Sequence, residues 1–293
     1  MRTYEFVTLD VFTDRRFGGN PLAVFPDAQG LTTEEMQAIG SEFNLSEVTF
    51  VLPPKDPANT AQVRIFTPTL EMPFAGHPNV GTGYVLAQAG RDTDGRLRFE
   101  EIAGLVEIEI SRASSGAITS ARIAAPLPLE LGPYFPAEQI ASLASLALDD
   151  MVVTGHAPVQ ASVGAGFIIA EVTPEALTRA TPDLVAFRAL AAARPDLHIH
   201  LHLYAVDGSD FRTRMFAPMD NIYEDAATGS ANAALAALRL SLTGDQTLHA
   251  IASQGVEMGR PSRLEIAAHR ATDGIRATVA GTCVPVMRGV LEL

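Results

Sequence analysis

Cysteine and lysine are almost absent from this sequence, and their scarcity removes whole classes of chemistry. The one cysteine, Cys283, allows no intrachain disulfide, no cysteine-built zinc cluster and no pair of thiols acting as opposed acid and base. The one lysine, Lys55, lies in Pro53-Pro54-Lys55-Asp56-Pro57. That stretch reads as a surface turn, a poor setting for the desolvated amine of a Schiff-base or pyridoxal-phosphate enzyme. Positive charge is also short: 21 basic residues face 34 acidic ones, for a formal charge of -13, and no run of like charge concentrates the imbalance. Nucleic acid and anionic membrane are therefore poor partners. No apolar stretch approaches the roughly 18 residues of a membrane-spanning helix, and no signal-peptide core precedes the strand-like start at Met1-Arg2-Thr3-Tyr4-Glu5. A cytoplasmic protein is the expectation.

What remains is an ordinary globular composition, 47% hydrophobic with 23 glycines, in 293 residues. That length has room for about two domains. Period-2 alternation marks strands at 4–12, 62–66, 106–110, 198–206, 264–268 and 275–279, with a last strand over 285–293. Most follow one another without a helix between, which favours antiparallel pairing and an α+β fold class. Thr32-Thr33-Glu34-Glu35 reads as a capping box opening a helix to about Phe43, and 136–148 and 183–193 read as further surface helices.

Two other helical segments, 78–89 and 228–242, are small or apolar nearly all round, so each must be enclosed. Gly90 fits the position just past the end of the first. Each helix follows a similar strand: Arg64-Ile65-Phe66-Thr67-Pro68 matches Arg214-Met215-Phe216-Ala217-Pro218 at an offset of 150, with a polar loop and then the helix in both copies. A duplication follows: two similar domains, 1–126 and 127–293, each a mostly antiparallel sheet around a central helix, joined through Pro126-Leu127-Pro128. The last strand could belong to either half.

The repeat directs attention to the loops entering the two helices, Phe74-Ala75-Gly76-His77-Pro78 and Glu224-Asp225-Ala226-Ala227-Thr228-Gly229-Ser230. Two helix N-termini facing one cleft would offer free N–H groups to a small anion such as a carboxylate. His77, before a proline suited to the first helical position, reads either as a capping histidine or as a site residue. Asp225 and Ser230 have the same two readings, local backbone partner or site residue. Glu47, at the start of an apolar strand after Ser46, is either a solvated acid or an enclosed carboxylate whose raised pKa would suit proton transfer at carbon. His198, His200 and His202 alternate along a strand, and three outward histidines account for them without a metal. Gly18-Gly19-Asn20-Pro21 and the glycines at 76–83 form no nucleotide fingerprint.

With those residues in place, the chain resembles the phenazine-biosynthesis isomerase (PhzF-like) family. The likeness runs through Asp10-Val11-Phe12-Thr13, Phe17-Gly18-Gly19-Asn20-Pro21-Leu22-Ala23-Val24, Ser46-Glu47, Arg64 to Pro68, Pro73 to Pro78, Glu224 to Ala231, Gln254-Gly255 and Met258-Gly259-Arg260-Pro261-Ser262. The resemblance implies a diaminopimelate-epimerase-like fold, usually a homodimer, and cofactor-free isomerisation of a small ring carboxylate such as trans-2,3-dihydro-3-hydroxyanthranilate; the residues themselves give no reason to expect a metal. By position it implies that Glu47 transfers the proton, with His77 and Asp225 beside it and Ser46, Gly76, Gly229 and Ser230 binding substrate. Val48, Met72, Asn79 and Ala226 depart from residues frequent in the family and bear on which substrate is taken. Two alternatives stand beside this expectation: a two-base epimerase using Glu47 and Asp225, and a non-catalytic module binding a metabolite or a protein.

Overall fold

The period-2 runs form strands, and the two apolar segments form helices that those strands enclose. In a computed structural model describing all residues from Met1 to Leu293, the chain divides into two units, Met1–Ala124 with Ala280–Leu293, and Ala125–Val279.

The first unit contains Thr3–Val11 (β1), Asn20–Phe25 (β2), Thr33–Phe43 (α1), Val48–Leu52 (β3), Ala61–Phe66 (β4), Glu71–Met72 (β5), Gly76–Gln88 (α2), Arg96–Glu101 (β6), Gly104–Arg112 (β7) and Ile118–Ala124 (β8). The last strand of the chain, Cys283–Glu292, pairs antiparallel with β1 from Thr3 opposite Glu292 to Val11 opposite Cys283. Pairing is antiparallel except at β2–β3 and β4–β6. Those are the joints where a helix intervenes and carries the chain back to the same edge. α1 opens on the anticipated box, Thr32 bonding Glu35 and Glu35 returning to Thr32, and ends at Asn44 with φ +50°. Its Met36 and Ile39 pack on Phe25, Phe50 and Phe66. Residues 76–87 of α2 are buried on every side. The sheet approaches so closely that a Cβ on Gly81 would lie 2.5 Å from Leu22 and 2.9 Å from Val11, so the run of small residues is what lets strands wrap this helix.

The second unit repeats the plan. It holds Glu130–Tyr134 (β9), Ala137–Leu143 (α3), Met151–Val152 (β10), Val159–Ser162 (β11), Gly166–Val172 (β12), Pro174–Arg179 (α4), Leu184–Ala193 (α5), Leu201–Asp207 (β13), Asp210–Ala217 (β14), Ile222–Asp225 (β15), Gly229–Ser241 (α6), Thr247–Gln254 (β16), Ser262–Ala271 (β17) and Gly274–Gly281 (β18), which leads to the last strand, β19. The order of parallel and antiparallel joints from β12 to β17 is that from β2 to β7. α3, α4 and α5 cover the outer face around Phe187 and Leu190, where the first unit has α1.

Four expectations need correction. The helix expected over 136–148 stops at Leu143, and the chain resumes as a single 3-10 turn at Leu148–Asp150. α4, whose six residues are too few to show a helical period, was not anticipated. β13 begins at Leu201, so His198 and His200 lie before it and only His202 is in the strand, fully buried. The duplication also has no single offset. β4 and β14 are 150 apart, but α2 and α6 start 153 apart, because a turn at Pro218–Asp220 lengthens the second loop.

Both copies share one ion pair. Arg64 grips Glu71 through two bonds of 2.6 Å, and Arg214 grips Glu224 at 2.8 and 2.7 Å. Each guanidinium lies over the phenylalanine two residues on, 5.1 Å from Phe66 and 4.9 Å from Phe216. The second pair is the more enclosed, and Arg214 also donates to the carbonyls of Leu177 and Ala180. Removing one partner strands a buried charge, so Glu224→Gln is expected to lower unfolding free energy in urea by about 3 kcal/mol or more. Glu71→Gln should cost less.

Candidate active site

Glu47 enters the first unit's site because of what happens two residues later. Thr49, fully buried on β3, bonds Thr82 of α2 at 2.8 Å between hydroxyls. Residues 47 and 49 point to the same side of the strand, about 6.7 Å apart, while five residues of helix span about 7.5 Å. The Thr49–Thr82 contact therefore brings Glu47 level with residue 77. Glu47 Oε2 lies 3.5 Å from His77 Nε2, with the Glu47 side chain only 15% exposed.

His77 is not a cap. α2 starts at Gly76, its N-cap is Ala75, which provides no side-chain bond, and His77 is the second helical residue, before Pro78. Burial pushes the imidazole pKa down to about 3, so the ring is neutral at ordinary pH. The Nδ1 atom of His77 faces the Asn20 amide nitrogen at 3.4 Å. An amide NH2 can only donate, so Nδ1 accepts and the ring proton sits on Nε2, toward Glu47. Asn20 was visible in the sequence only as part of a glycine-rich motif; its role comes from β2 passing beside the start of α2.

In the second unit, Gly229 and Ser230 open α6 after Thr228, which occupies the N-cap without a side-chain bond to the helix. Asp225, buried at the end of β15, accepts a 2.6 Å bond from the Thr228 hydroxyl. Gln254 clamps this turn. Its amide nitrogen donates to the Asp225 carbonyl at 2.9 Å and to the Thr228 hydroxyl at 3.0 Å, and its oxygen accepts from the Thr228 N–H at 3.1 Å and the Asn232 amide at 2.7 Å. Gly255, at φ +72°, follows so closely that a Cβ would lie 2.6 Å from the Ala226 carbonyl. Ser262 bonds that same carbonyl at 2.8 Å. Gln254 and Asn232 are the residues that sequence reasoning missed here; Gln254-Gly255 was noticed as a motif without a purpose.

The structure thus brings Glu47, His77 and Gly76 together, with half-buried Ser46 adjacent in sequence, and separately brings Asp225, Gly229 and Ser230 together at the matching turn. The histidine run does not act as one group. His202 is buried beside Asn232, its pKa pushed down to about 3 by burial, while His198 and His200 join Asp220, whose oxygen contacts His200 Nε2. Those three are the residues that could hold a metal, with donor atoms within 4.8 Å of one another. Cys283 is buried and burial pushes its thiol up, so it is no nucleophile, and Lys55 is exposed.

Each unit wraps a sheet around a helix, and the first sets a buried imidazole against an enclosed carboxylate, a pairing suited to acid–base chemistry. Comparison with known proteins specifies it. Residues 9–289 match the family described as phenazine biosynthesis-like protein. An uncharacterised isomerase of Mesorhizobium japonicum is 38% identical, covering 91% of both chains. The trans-2,3-dihydro-3-hydroxyanthranilate isomerase of Pseudomonas chlororaphis is 35% identical over 99% of this chain and 100% of its own. The crystal structure of a PhzF-family phenazine biosynthesis protein from Bacillus anthracis superposes with a TM-score of 0.88 over 100% of both chains, at 26% identity. The chain belongs to the PhzF family, has the α+β fold of that family and is an isomerase of small molecules.

A histidine buried in its neutral form makes stability acid-sensitive. The folded pKa of His77 lies below the free value of 6.5, so the unfolded chain binds the proton more readily, and stability falls as pH drops below about 6.5 toward 3. His77→Gln removes this contribution. The loss of urea midpoint between pH 7 and pH 5 should be smaller in the variant than in the wild type; an unchanged loss would mean that His77 titrates in the folded protein as it does in the unfolded chain.

Proposed function

We propose that Glu47 is the base and then the acid of a cofactor-independent isomerisation of a small, cyclic carboxylate similar to trans-2,3-dihydro-3-hydroxyanthranilate. The observation that carries the reading is the Glu47–His77 pair: an enclosed carboxylate 3.5 Å from a neutral imidazole whose tautomer is set by Asn20. Ionised Glu47 takes a proton from a ring carbon, and the electron pair of the broken C–H bond passes into the conjugated system. Protonated Glu47 then returns the proton to another carbon, so that only the positions of hydrogen and double bonds change. The His77 Nε2–H, on the ring edge 3.5 Å from Oε2, would favour the ionised form by swinging onto it before and after each turnover.

Each unit is assigned its own group of anion-binding donors: in the first, the free first-turn N–H at Gly76 with the Ser46 hydroxyl, and in the second, the first-turn N–H groups at Gly229 and Ser230 with the Ser230 hydroxyl. Asp225, fixed by Thr228, is assigned to orienting polar groups of a ligand bound at the second unit's turn. A homodimer in the cytoplasm suits the family likeness and a chain whose one thiol is buried. No helix of the chain is long and apolar enough to cross a membrane.

Incubation with dihydro-hydroxyanthranilate, followed by a panel of small cyclic and amino carboxylates, tests the activity. Glu47→Gln keeps the shape but cannot accept a proton, so turnover should fall at least about 10²-fold with the fold intact. In deuterated water a single shuttling carboxylate should incorporate less than one deuterium per turnover. Full solvent deuterium in an inverted product would point to two opposed bases, and an active Glu47→Gln enzyme would remove Glu47 from the mechanism.

A further inference from the structure

Alternation groups His198 and His200 with His202, but the structure puts Asp220 in the place of the third histidine. Ile199 is buried, while His198 before it is exposed and His200 after it half-buried, so the two imidazoles share one side of the segment with ring centres 5.9 Å apart. The segment is pinned there. The His200 carbonyl accepts from the Ile168 N–H at 2.8 Å, the His200 N–H donates to the His198 carbonyl at 3.2 Å, and the His200 ring lies 5.6 Å from that of Phe167. Asp220 arrives on a separate stretch, as the last residue of the Pro218–Asp220 turn, which Asn221 closes at φ +63° with its N–H on the Pro218 carbonyl at 3.3 Å. Its Oδ2 contacts His200 Nε2, and one donor atom from each of the three side chains lies within 4.8 Å of the other two.

Register shows why these groups meet only in the second unit. Leu201 stands opposite Phe216 as Val48 stands opposite Phe66, so His200 holds the position that Glu47 holds in the first unit. Here that position meets the turn which lengthens the second loop and which the first unit lacks. An ion pair accounts for His200 and Asp220 alone and leaves a second exposed imidazole at the same point without a purpose. Two imidazole nitrogens and one carboxylate oxygen are a donor set for a divalent first-row transition ion, whereas magnesium and calcium take oxygen ligands. Zinc bonds of about 2.0 to 2.2 Å at tetrahedral angles set donor atoms about 3.3 Å apart. His198 and Asp220 are exposed and can rotate to that spacing, with His200 held against Phe167. A hydrogen bond from His200, and then the charges of His200 and His198, hold the Asp220 carboxyl below the usual carboxylate range, which keeps it ionised for a cation.

We propose that His198, His200 and Asp220 bind one divalent transition-metal ion of the zinc type, which ties the lead into β13 to the turn that precedes β15. β15 ends at Asp225, so the ion braces the strand that delivers this residue to the start of α6. The ion is a brace, and no step of the proposed isomerisation runs through it.

The test uses the full chain, freed of metal by chelator and dialysed, and needs no substrate. Calorimetric titration with zinc should show a site of one ion per chain that magnesium at the same concentration does not fill. His198→Gln, His200→Gln and Asp220→Asn should each weaken that site at least about 10-fold, since even the supporting partners of a metal ligand carry 10-fold or more. Zinc should raise the Tm of the wild type, reversibly with chelator, and leave that of the three variants unchanged. His249 and His269 are the internal control: both are exposed, and the register that sets His249 opposite Ala267 and Thr247 opposite His269 makes them diagonal neighbours on β16 and β17. Zinc binding that survives all three variants, or that disappears with His249→Ala and His269→Ala instead, overturns the site. Magnesium binding as tightly as zinc overturns the choice of ion, and zinc binding that leaves the wild-type Tm unmoved overturns the brace.

Discussion

A helix enclosed on all sides cannot leave its first turn to water, and this constraint organises both halves of the protein. The N–H groups at the start of α2 and α6 have no partners within the helix, and neither N-cap residue bonds back to it with its side chain. The neighbouring loops and the last residues of a parallel strand must hold the turn in shape while leaving N–H groups for a ligand. Asn232 and Gln254 do so in the second unit, through bonds of 2.7 to 3.1 Å that connect the helix, its N-cap and Asp225. A turn held from behind in this way keeps its first N–H groups free of partners within the helix, which is the arrangement an anion site requires.

Duplication supplied two such turns, and divergence gave them different chemistry. At aligned positions the first unit has Glu47, Met72, His77 and Glu101 where the second has His200, Asp225, Ser230 and Gln254. Titratable groups thus gather at α2, while α6 keeps an amide clamp in which all the bonding atoms of Gln254 are engaged. The scaffold beneath changed little: the Arg–Glu fork and the arginine stacked on phenylalanine survive in both copies with distances agreeing within about 0.2 Å. Those groups fix where strand and loop part, and no chemistry requires them to differ.

Much of this was legible in the sequence because alternation and small-residue runs are local signals. The strands, the box at Thr32 and the two enclosed helices follow from residue types at short spacing, and so does the pairing of each helix with its strand. Other features depend on distant partners. Asn20 and Gln254 acquire roles only when β2 and β16 pass beside a helix start far away in the chain. The histidine run misled for a related reason: alternation at 198, 200 and 202 looks like one strand face, but the strand begins at Leu201, and His202 is buried while its neighbours turn to Asp220. The same turn at Pro218–Asp220 hides the change of offset from 150 to 153.

Proline placement shows how such a boundary error arises. Pro78 suited the first position of a helix, which made His77 a flanking residue. The helix in fact starts two residues earlier, and proline is tolerated there because the third N–H of an α-helix, like the first, has no partner inside the helix. The difference matters for chemistry. A histidine at the cap would lie at the edge of the turn, able to exchange protons with solvent. A histidine in the first turn of an enclosed helix loses solvent and stays neutral, so it stands 3.5 Å from the Glu47 carboxylate without bringing a positive charge to it.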